Sequence, residues 1–238
     1  MIKLEHTEVL GWGHAIRGMR NPLNSWDKSD SVMCDGEECY FEDCPQWRDD
    51  VCYGVVGNFY VGANDLDLMT RLRNAGTDHR KFMRMLTVYV DITAPLYWWK
   101  EFDTYKVGTV ANSCSTMHKI HAKEFTLDDF SHDHLTPLYK DMLRNLIHEL
   151  NFCRNAFNTC PMQDLKKTYW WQMIQLLPTS YNQKRTVMLN YEVLANMYKS
   201  RKTHKLDEWL ELCKWAESLP YAKELICGEG NRHDRETV

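Results

Sequence analysis

What this chain of 238 residues lacks already excludes several kinds of protein. No apolar run approaches the roughly 20 residues of a membrane span, so a helical membrane protein is not expected. The opening stretch MIKLEHTEVLGWG has no apolar core of the signal-peptide kind, and the expected location is the cytoplasm. Basic residues are not in excess. The net charge is −4, which supplies no global field for nucleic acid or an anionic membrane. There is no internal repeat and no low-complexity segment. Paired metal-binding knuckles are missing too. Cys34, Cys39, Cys44 and Cys52 follow C-x4-C-x4-C-x7-C, whereas tight zinc sites favour C-x2–4-C pairs. The nine cysteines are therefore expected to be thiols, with no metal site.

What is present is an ordinary soluble composition, 44% apolar and 26% charged. Nine Trp and twelve Tyr suit a large aromatic core, a pocket for a planar ligand or a subunit interface. Ile2 to Glu5 carries a short strand signal, followed by a helix through Ala15, Ile16 and Arg17. Residues 21–62 mix Asn, Asp, Gly, Pro and Cys, the composition of a loop or insertion. Asp65 to Ala75 reads as a helix stopped by Gly76. Met83 to Ile92 alternates, with Leu86, Val88, Val90 and Ile92 on one face of a strand. Pro95 opens the helix LYWWKEFDTY, which ends before Gly108. Further helices are expected over Leu135–Asn155, Gln163–Leu177 (stopped by Pro178) and Leu206–Leu219. The fold class is α+β, a mixed domain with a sheet and a C-terminal half rich in long helices.

The stretch Leu177 to His204 carries the most chemistry. Val187, Tyr191, Leu194 and Tyr198 recur near a helical repeat, so most of it is expected to form one long helix. Asn190, Leu194, Met197 and Arg201 would share a face of that helix. Arg is suited to gripping a phosphate or carboxylate with two parallel hydrogen bonds. A solvated face with a snorkelling Arg is the plainer reading.

Leu177-Pro178, Asn190, Asn196 and Arg201, followed by His204, Trp209 and Ser218-Leu219-Pro220, resemble the C-terminal signature of the flavin-dependent thymidylate synthases of the ThyX type. A second landmark is similar: His79, a strand, Ala94-Pro95, then a helix. The resemblance covers roughly His79 to Pro220, with a weaker echo at Ala15-Ile16-Arg17. It implies one thymidylate-synthase-complementing-like domain over residues 1–238, with a Cys-rich insertion at about 21–62. It also implies a homotetramer with shared sites. The implied reaction converts dUMP to dTMP, with FAD as cofactor and methylene-tetrahydrofolate and NADPH as co-substrates. His79, Lys106, Asn190 and Asn196 would hold the flavin. Arg201, Ser115, Glu101, Asn112 and His118 would hold the nucleotide. A capping or core role for His79 stays open.

The chain departs from the family at its Arg-His-Arg motif, where it reads Thr104-Tyr105-Lys106. Asn112 and Ser115 keep their mutual spacing, but the closing Arg becomes Met117. A family Gln becomes Glu101, and a family Arg becomes Ile174. A flavin dinucleotide carries a pyrophosphate that calls for cations, and Lys is a point charge without the planar fork of Arg. Two other readings therefore stand beside the synthase: a homologue that binds a pyrimidine nucleotide without catalysis, and a modifier of another pyrimidine nucleotide.

Overall fold

The computed structural model describes residues 2–34 and 55–228, together with the backbone of two short strands at 47–48 and 51–52. Strand β1 (Lys3–Leu10) leads into helix α1 (Trp12–Arg20). Two-residue strands β2 (Val32–Met33), β3 (Trp47–Arg48), β4 (Val51–Cys52) and β5 (Phe59–Tyr60) follow. They form two small antiparallel pairs, β2 with β5 and β3 with β4. Helix α2 (Ala63–Asn74), strand β6 (Thr87–Pro95), helix α3 (Leu96–Phe102) and strand β7 (Val110–Ser113) come next. The C-terminal half holds helices α4 (Pro137–Thr159) and α5 (Gln163–Leu176), strand β8 (Asn182–Asn190), and helices α6 (Tyr191–Arg201) and α7 (Asp207–Glu217). The mixed architecture with long C-terminal helices is the one the sequence implied. Among the described residues, no helix is long and apolar enough to cross a membrane.

The main sheet has strand order β1-β6-β8-β7, antiparallel throughout. β6 is central because it alternates: Val88, Val90, Ile92 and Ala94 are buried on the core face. It pairs with β8 over nine positions, from Thr87 opposite Asn190 to Pro95 opposite Asn182. This pairing corrects the expected helix across Leu177–His204. Residues 182–190 are a strand, and the helix starts only at Tyr191. Val187 and Leu189 alternate into the core from β8, while Tyr191, Leu194 and Met197 are buried from α6. The apparent four-residue step from Val187 to Tyr191 thus joins two elements of different period. Smaller shifts occur elsewhere. The N-terminal strand runs to Leu10, α3 stops at Phe102, and the four-residue strand β7 was not anticipated. The loop expected at 21–62 contains two 3-10 turns besides its short strands.

Two hydrophobic clusters form. The larger lies beneath the sheet and gathers Trp98, Trp99, Phe102 and Trp209 with Tyr191 and the β6 and β8 residues. Trp98 packs 4.9 Å from both Trp99 and Trp209, ring centre to ring centre. Each such ring, fully buried, contributes on the order of 1.5–3 kcal/mol. The smaller cluster joins α4 and α5 to Ile120, Phe125 and Phe130. Ile174, at the position of a family Arg, packs against it. Most of the Cys-rich stretch lies outside the described residues. Cys34, at its start, is a buried thiol.

A sealed ion pair fixes the segment after α1. Arg20 is 4% exposed and Asp65 not at all, and Arg20 Nε donates to Asp65 Oδ1 at 2.6 Å. The remaining Arg20 donors reach Ser25 and the Lys28 carbonyl. Asp65 Oδ2 accepts from the Ser29 and Ser31 hydroxyls. The Asp30 carboxylate accepts the amide protons of Asn64 and Asp65, closing the first turn of α2. Gly62 is needed here, because a Cβ would sit 2.2 Å from the Asp30 carboxylate carbon. Burial alone would raise the Asp65 pKa. Hydrogen bonds from Ser31, Ser29 and Arg20 outweigh it and hold the carboxyl below its ordinary 3.8. Asp65→Asn strands a buried guanidinium and is expected to lower stability by about 3–5 kcal/mol at neutral pH. A depressed folded pKa contributes stability above the unfolded value and loses it as pH falls through the folded value. In urea titrations, the gap between wild type and Asp65→Asn is therefore expected to narrow below about pH 4.

Candidate functional site

Helix α6 organises the candidate site. Its first residue follows β8 with no loop, because Asn190 serves both elements. Asn190 pairs with Thr87 as the last residue of β8, and its Oδ1 accepts the Val193 amide proton at 3.1 Å as the N-cap of α6. Its Nδ2 donates to the Gly108 carbonyl at 3.4 Å. Gly108 has φ +78°, and a Cβ there would meet Asn190 Nδ2 at 2.9 Å. The turn between α3 and β7, with Tyr105 and Lys106, is thereby tied against the start of α6.

At the other end of α6, Arg201 meets a dense set of partners. Its Nη1 donates to Glu101 Oε2 at 2.9 Å and its Nε to the Tyr105 hydroxyl at 3.0 Å. The guanidinium lies over the Trp209 ring at 4.6 Å and the Tyr105 ring at 5.6 Å. Trp209 Nε1 also donates to Glu101 Oε2, at 2.9 Å. His204 Nε2 stands 3.5 Å from the same oxygen. Its Nδ1 accepts the Leu206 amide proton, so the neutral ring carries its proton on Nε2, facing Glu101. One carboxylate oxygen thus gathers a cation, an indole and an imidazole. The side chain of Arg201 is 19% exposed and that of Glu101 36%, so this corner opens to solvent.

A second charged group lies on another face of α6. Glu192 accepts from Arg80 Nε at 3.2 Å and from Arg84 Nε. Arg80 Nη2 donates to Asn196 Oδ1, also at 3.2 Å. Burial would push the Glu192 pKa up, but hydrogen bonds and charge from Arg84 and Arg80 hold it low. His79 directly precedes Arg80 and is exposed, at the start of the 3-10 turn Arg80–Arg84.

The structure therefore brings Arg201 and Glu101 together, as direct partners. It brings Asn196 to Arg80, beside His79 in the chain. Lys106 is exposed on the turn next to Tyr105. Asn112 is exposed in β7, opposite Thr186. Ser115 Oγ accepts the amide protons of Met117 and His118, so the loop satisfies some of its own donors. Sequence reasoning missed Arg80, Arg84, Tyr105 and Arg185. Arg185 bonds Asp103 at 2.8 Å and lies 4.1 Å over the Trp99 ring. The first two had a signal in the run His79-Arg80-Lys81-Phe82-Met83-Arg84, whose spacing sets Arg80 and Arg84 about one turn apart. Arg185 had none, because the apolar repeat running into Tyr191 and Leu194 gives residues 182–190 the pattern of a helix.

An antiparallel four-stranded sheet, continued without a loop into a helix capped by Asn190 and carrying Asn196 and Arg201, defines the architecture. That architecture is the fold of ThyX. A structure of thymidylate synthase X from Helicobacter pylori with FAD and dUMP superposes with a TM-score of 0.61 at 14% identity, covering 98% of this chain and 100% of that one. A second H. pylori ThyX structure, also with FAD and dUMP, gives 0.59 at 15% identity, covering 94% and 96%. No protein-family model and no curated protein sequence matches the chain.

Asn190→Ala removes the cap of α6 and the tether of the Gly108 turn. It is expected to lower stability by about 0.5–2 kcal/mol. Asn190→Asp keeps the cap acceptor but loses the donor to Gly108, and is expected to recover only part of the loss, as read by the urea midpoint.

Proposed function

We propose that this protein is a divergent flavin-dependent thymidylate synthase that methylates dUMP. One observation carries the reading. The whole chain matches structures that contain FAD and dUMP, and α6 bears Asn196 and Arg201 in charged corners that open to solvent. Homotetrameric assembly, a cytoplasmic location, and methylene-tetrahydrofolate and NADPH as co-substrates belong to the same proposal.

The fit to a flavin dinucleotide rests on charge. Thr104 and Lys106 are exposed and supply one cation between them. Arg80 and Arg84 share the Glu192 carboxylate as ion-pair partner, and Arg84 also feels Asp78, so two cations stand near Asn196. His79, Lys106, Arg80 and Asn196 would hold the cofactor, with Asn190 fixing the turn that carries Lys106. A bound reduced flavin supplies the hydride for the transferred carbon. The chain's own residues hold and orient. Arg201 donates to the nucleotide from a rigid aromatic frame of Tyr105 and Trp209. Ser115, Asn112 and His118 lie on the exposed β7 edge and its following loop, where a phosphate is accessible.

A second reading has its own support. The arginines of the flavin motif are replaced, and Arg201 already has a carboxylate partner. Both features suit a protein that binds a nucleotide without flavin. Losing two charge-assisted contacts weakens binding by roughly 10²–10⁴-fold. FAD is therefore expected to bind in the micromolar range, measured by quenching of its fluorescence, with dUMP stimulating NADPH oxidation. Nucleotide binding with no FAD binding at about 100 μM would favour the second reading. Arg201→Ala is expected to weaken dUMP binding by about 10–100-fold in calorimetric titration, and unchanged affinity would remove Arg201 from the site.

A further inference from the structure

Among the described residues, three buried side-chain atoms have no hydrogen-bond partner. Two of them, His121 Nδ1 and Arg154 Nε, belong to side chains that act on each other electrostatically. An Arg Nε–H is always a donor, so an acceptor is missing at this place. Native proteins leave few such groups, and an ion that completes them is one physical explanation. The surrounding charge decides the sign of that ion. Burial, then Lys119, Lys166 and Arg154, lower the His121 pKa below its ordinary 6.5. Among the described residues, none of these three cations is in an ion pair. Arg154 donates to the Asn155 side-chain oxygen at 2.8 Å, and the Lys166 ammonium lies over the Phe157 ring at 5.5 Å. The carboxylate of Asp164, also in the first turn of α5, points about 200° round the helix from Lys166.

The corner is held from both helices. The His121 ring packs on Phe157 at 4.5 Å between centres, and the Asn158 side chain donates to the His121 carbonyl at 3.2 Å. Trp170 Nε1 donates to the Met117 carbonyl at 2.8 Å and ties the same loop to α5. Arg154 and Phe157 lie in the last turns of α4 and Lys166 in the first turn of α5, which starts without a side-chain cap. The amides of that first turn add to the positive field. A helix C-terminus by itself also favours cations. That alone would still leave Arg154 Nε and His121 Nδ1 unpaired. The corner is separate from Arg201, whose frame stands on the larger hydrophobic cluster while Phe157 belongs to the smaller. Ile174 follows Lys166 by about 12 Å along α5.

We propose that this corner is a second anion site, which binds the phosphate group of a small molecule through Arg154, His121, Lys119 and Lys166. The phosphate oxygens accept from Arg154 Nε and from His121 in the tautomer protonated at Nδ1, and the two ammonium groups balance the charge. Lys119 is exposed on a flexible four-carbon stem, so it swings to admit or cover the anion. A phosphate offers up to two charges and three acceptor oxygens, which suits three cations better than one carboxylate does. The proposal does not depend on the dUMP reading.

Calorimetric titration of the full chain at low salt tests this with inorganic phosphate, pyrophosphate and dUMP. Wild type is expected to bind pyrophosphate whether or not dUMP is present. Binding at about pH 6 is expected to take up a proton, because an anion raises the lowered His121 pKa. Titrations in two buffers of unlike ionisation heat read that uptake and need no variant. Arg154→Gln, its fold checked by thermal melting, is expected to weaken pyrophosphate binding about 10–100-fold. Lys119→Gln, at an exposed position, is expected to weaken it roughly two- to fivefold. Neither should change the affinity for dUMP. Inorganic phosphate that binds as tightly as pyrophosphate makes free phosphate the ligand, and weaker binding makes it a phosphate ester or anhydride. Competition between dUMP and pyrophosphate would assign these cations to the nucleotide site and overturn the proposal. No pyrophosphate binding at about 10 mM overturns it too, as does unchanged affinity in both variants.

Discussion

The candidate site depends on the direct passage from β8 into α6 at Asn190. β8 is held along its length by nine pairings with β6, and a one-residue slip would turn its buried set outward. The register therefore fixes where the strand ends, and the Asn190 cap fixes where the helix begins. Glu192, Asn196 and Arg201 then take their positions by helical geometry alone, at about 1.5 Å of rise per residue. A flexible connection would let these three side chains wander relative to the sheet. The same Asn190 holds the Gly108 turn, so the segment carrying Tyr105 is positioned from the same point.

The charged pairs divide by how much of each is sealed. In Arg20 and Asp65, both carboxylate oxygens and all three guanidinium nitrogens have partners inside the protein. Such a pair holds the fold in one arrangement and has nothing left for a ligand. Arg201 with Glu101, and Arg80 and Arg84 with Glu192, are built from the same residue types but each has a partly exposed member. Arg201 is framed by Trp209 and Tyr105, and Arg80 bonds Asn196. Burial, more than residue identity, separates the structural pair from the groups suited to binding.

Much of the architecture was legible because its signals were local. The alternation of Leu86, Val88, Val90 and Ile92 marked β6, Pro95 marked the start of α3, and Pro178 the end of α5. The strand at 182–190 was not legible. Its core positions include Gln183 and the partly covered Arg185, so apolar alternation is weak: the Gln183 amide donates to the Cys114 carbonyl and accepts from Arg185, which bonds Asp103 and lies over Trp99. The pairing of Glu101 with Arg201 spans 100 residues. No periodicity reports a contact of that separation. Both residues were legible only as single positions of interest. Arg80 and Arg84 were hidden for the same reason, since their partner Glu192 lies more than 100 residues away.

The small pairing of Val32–Met33 with Phe59–Tyr60 clamps the two ends of the Cys-rich stretch together. On one side the clamp is backed by Asp30, Ser31 and their bonds to α2. The pairing fixes the separation of the two ends, whatever the length of chain between them. The entropy of closing a loop grows only with the logarithm of its length, so doubling that stretch would cost about 0.6 kcal/mol. On that entropy alone, a change in its length asks little of the sheet and α6, because the β2–β5 pairing holds the ends at the same place.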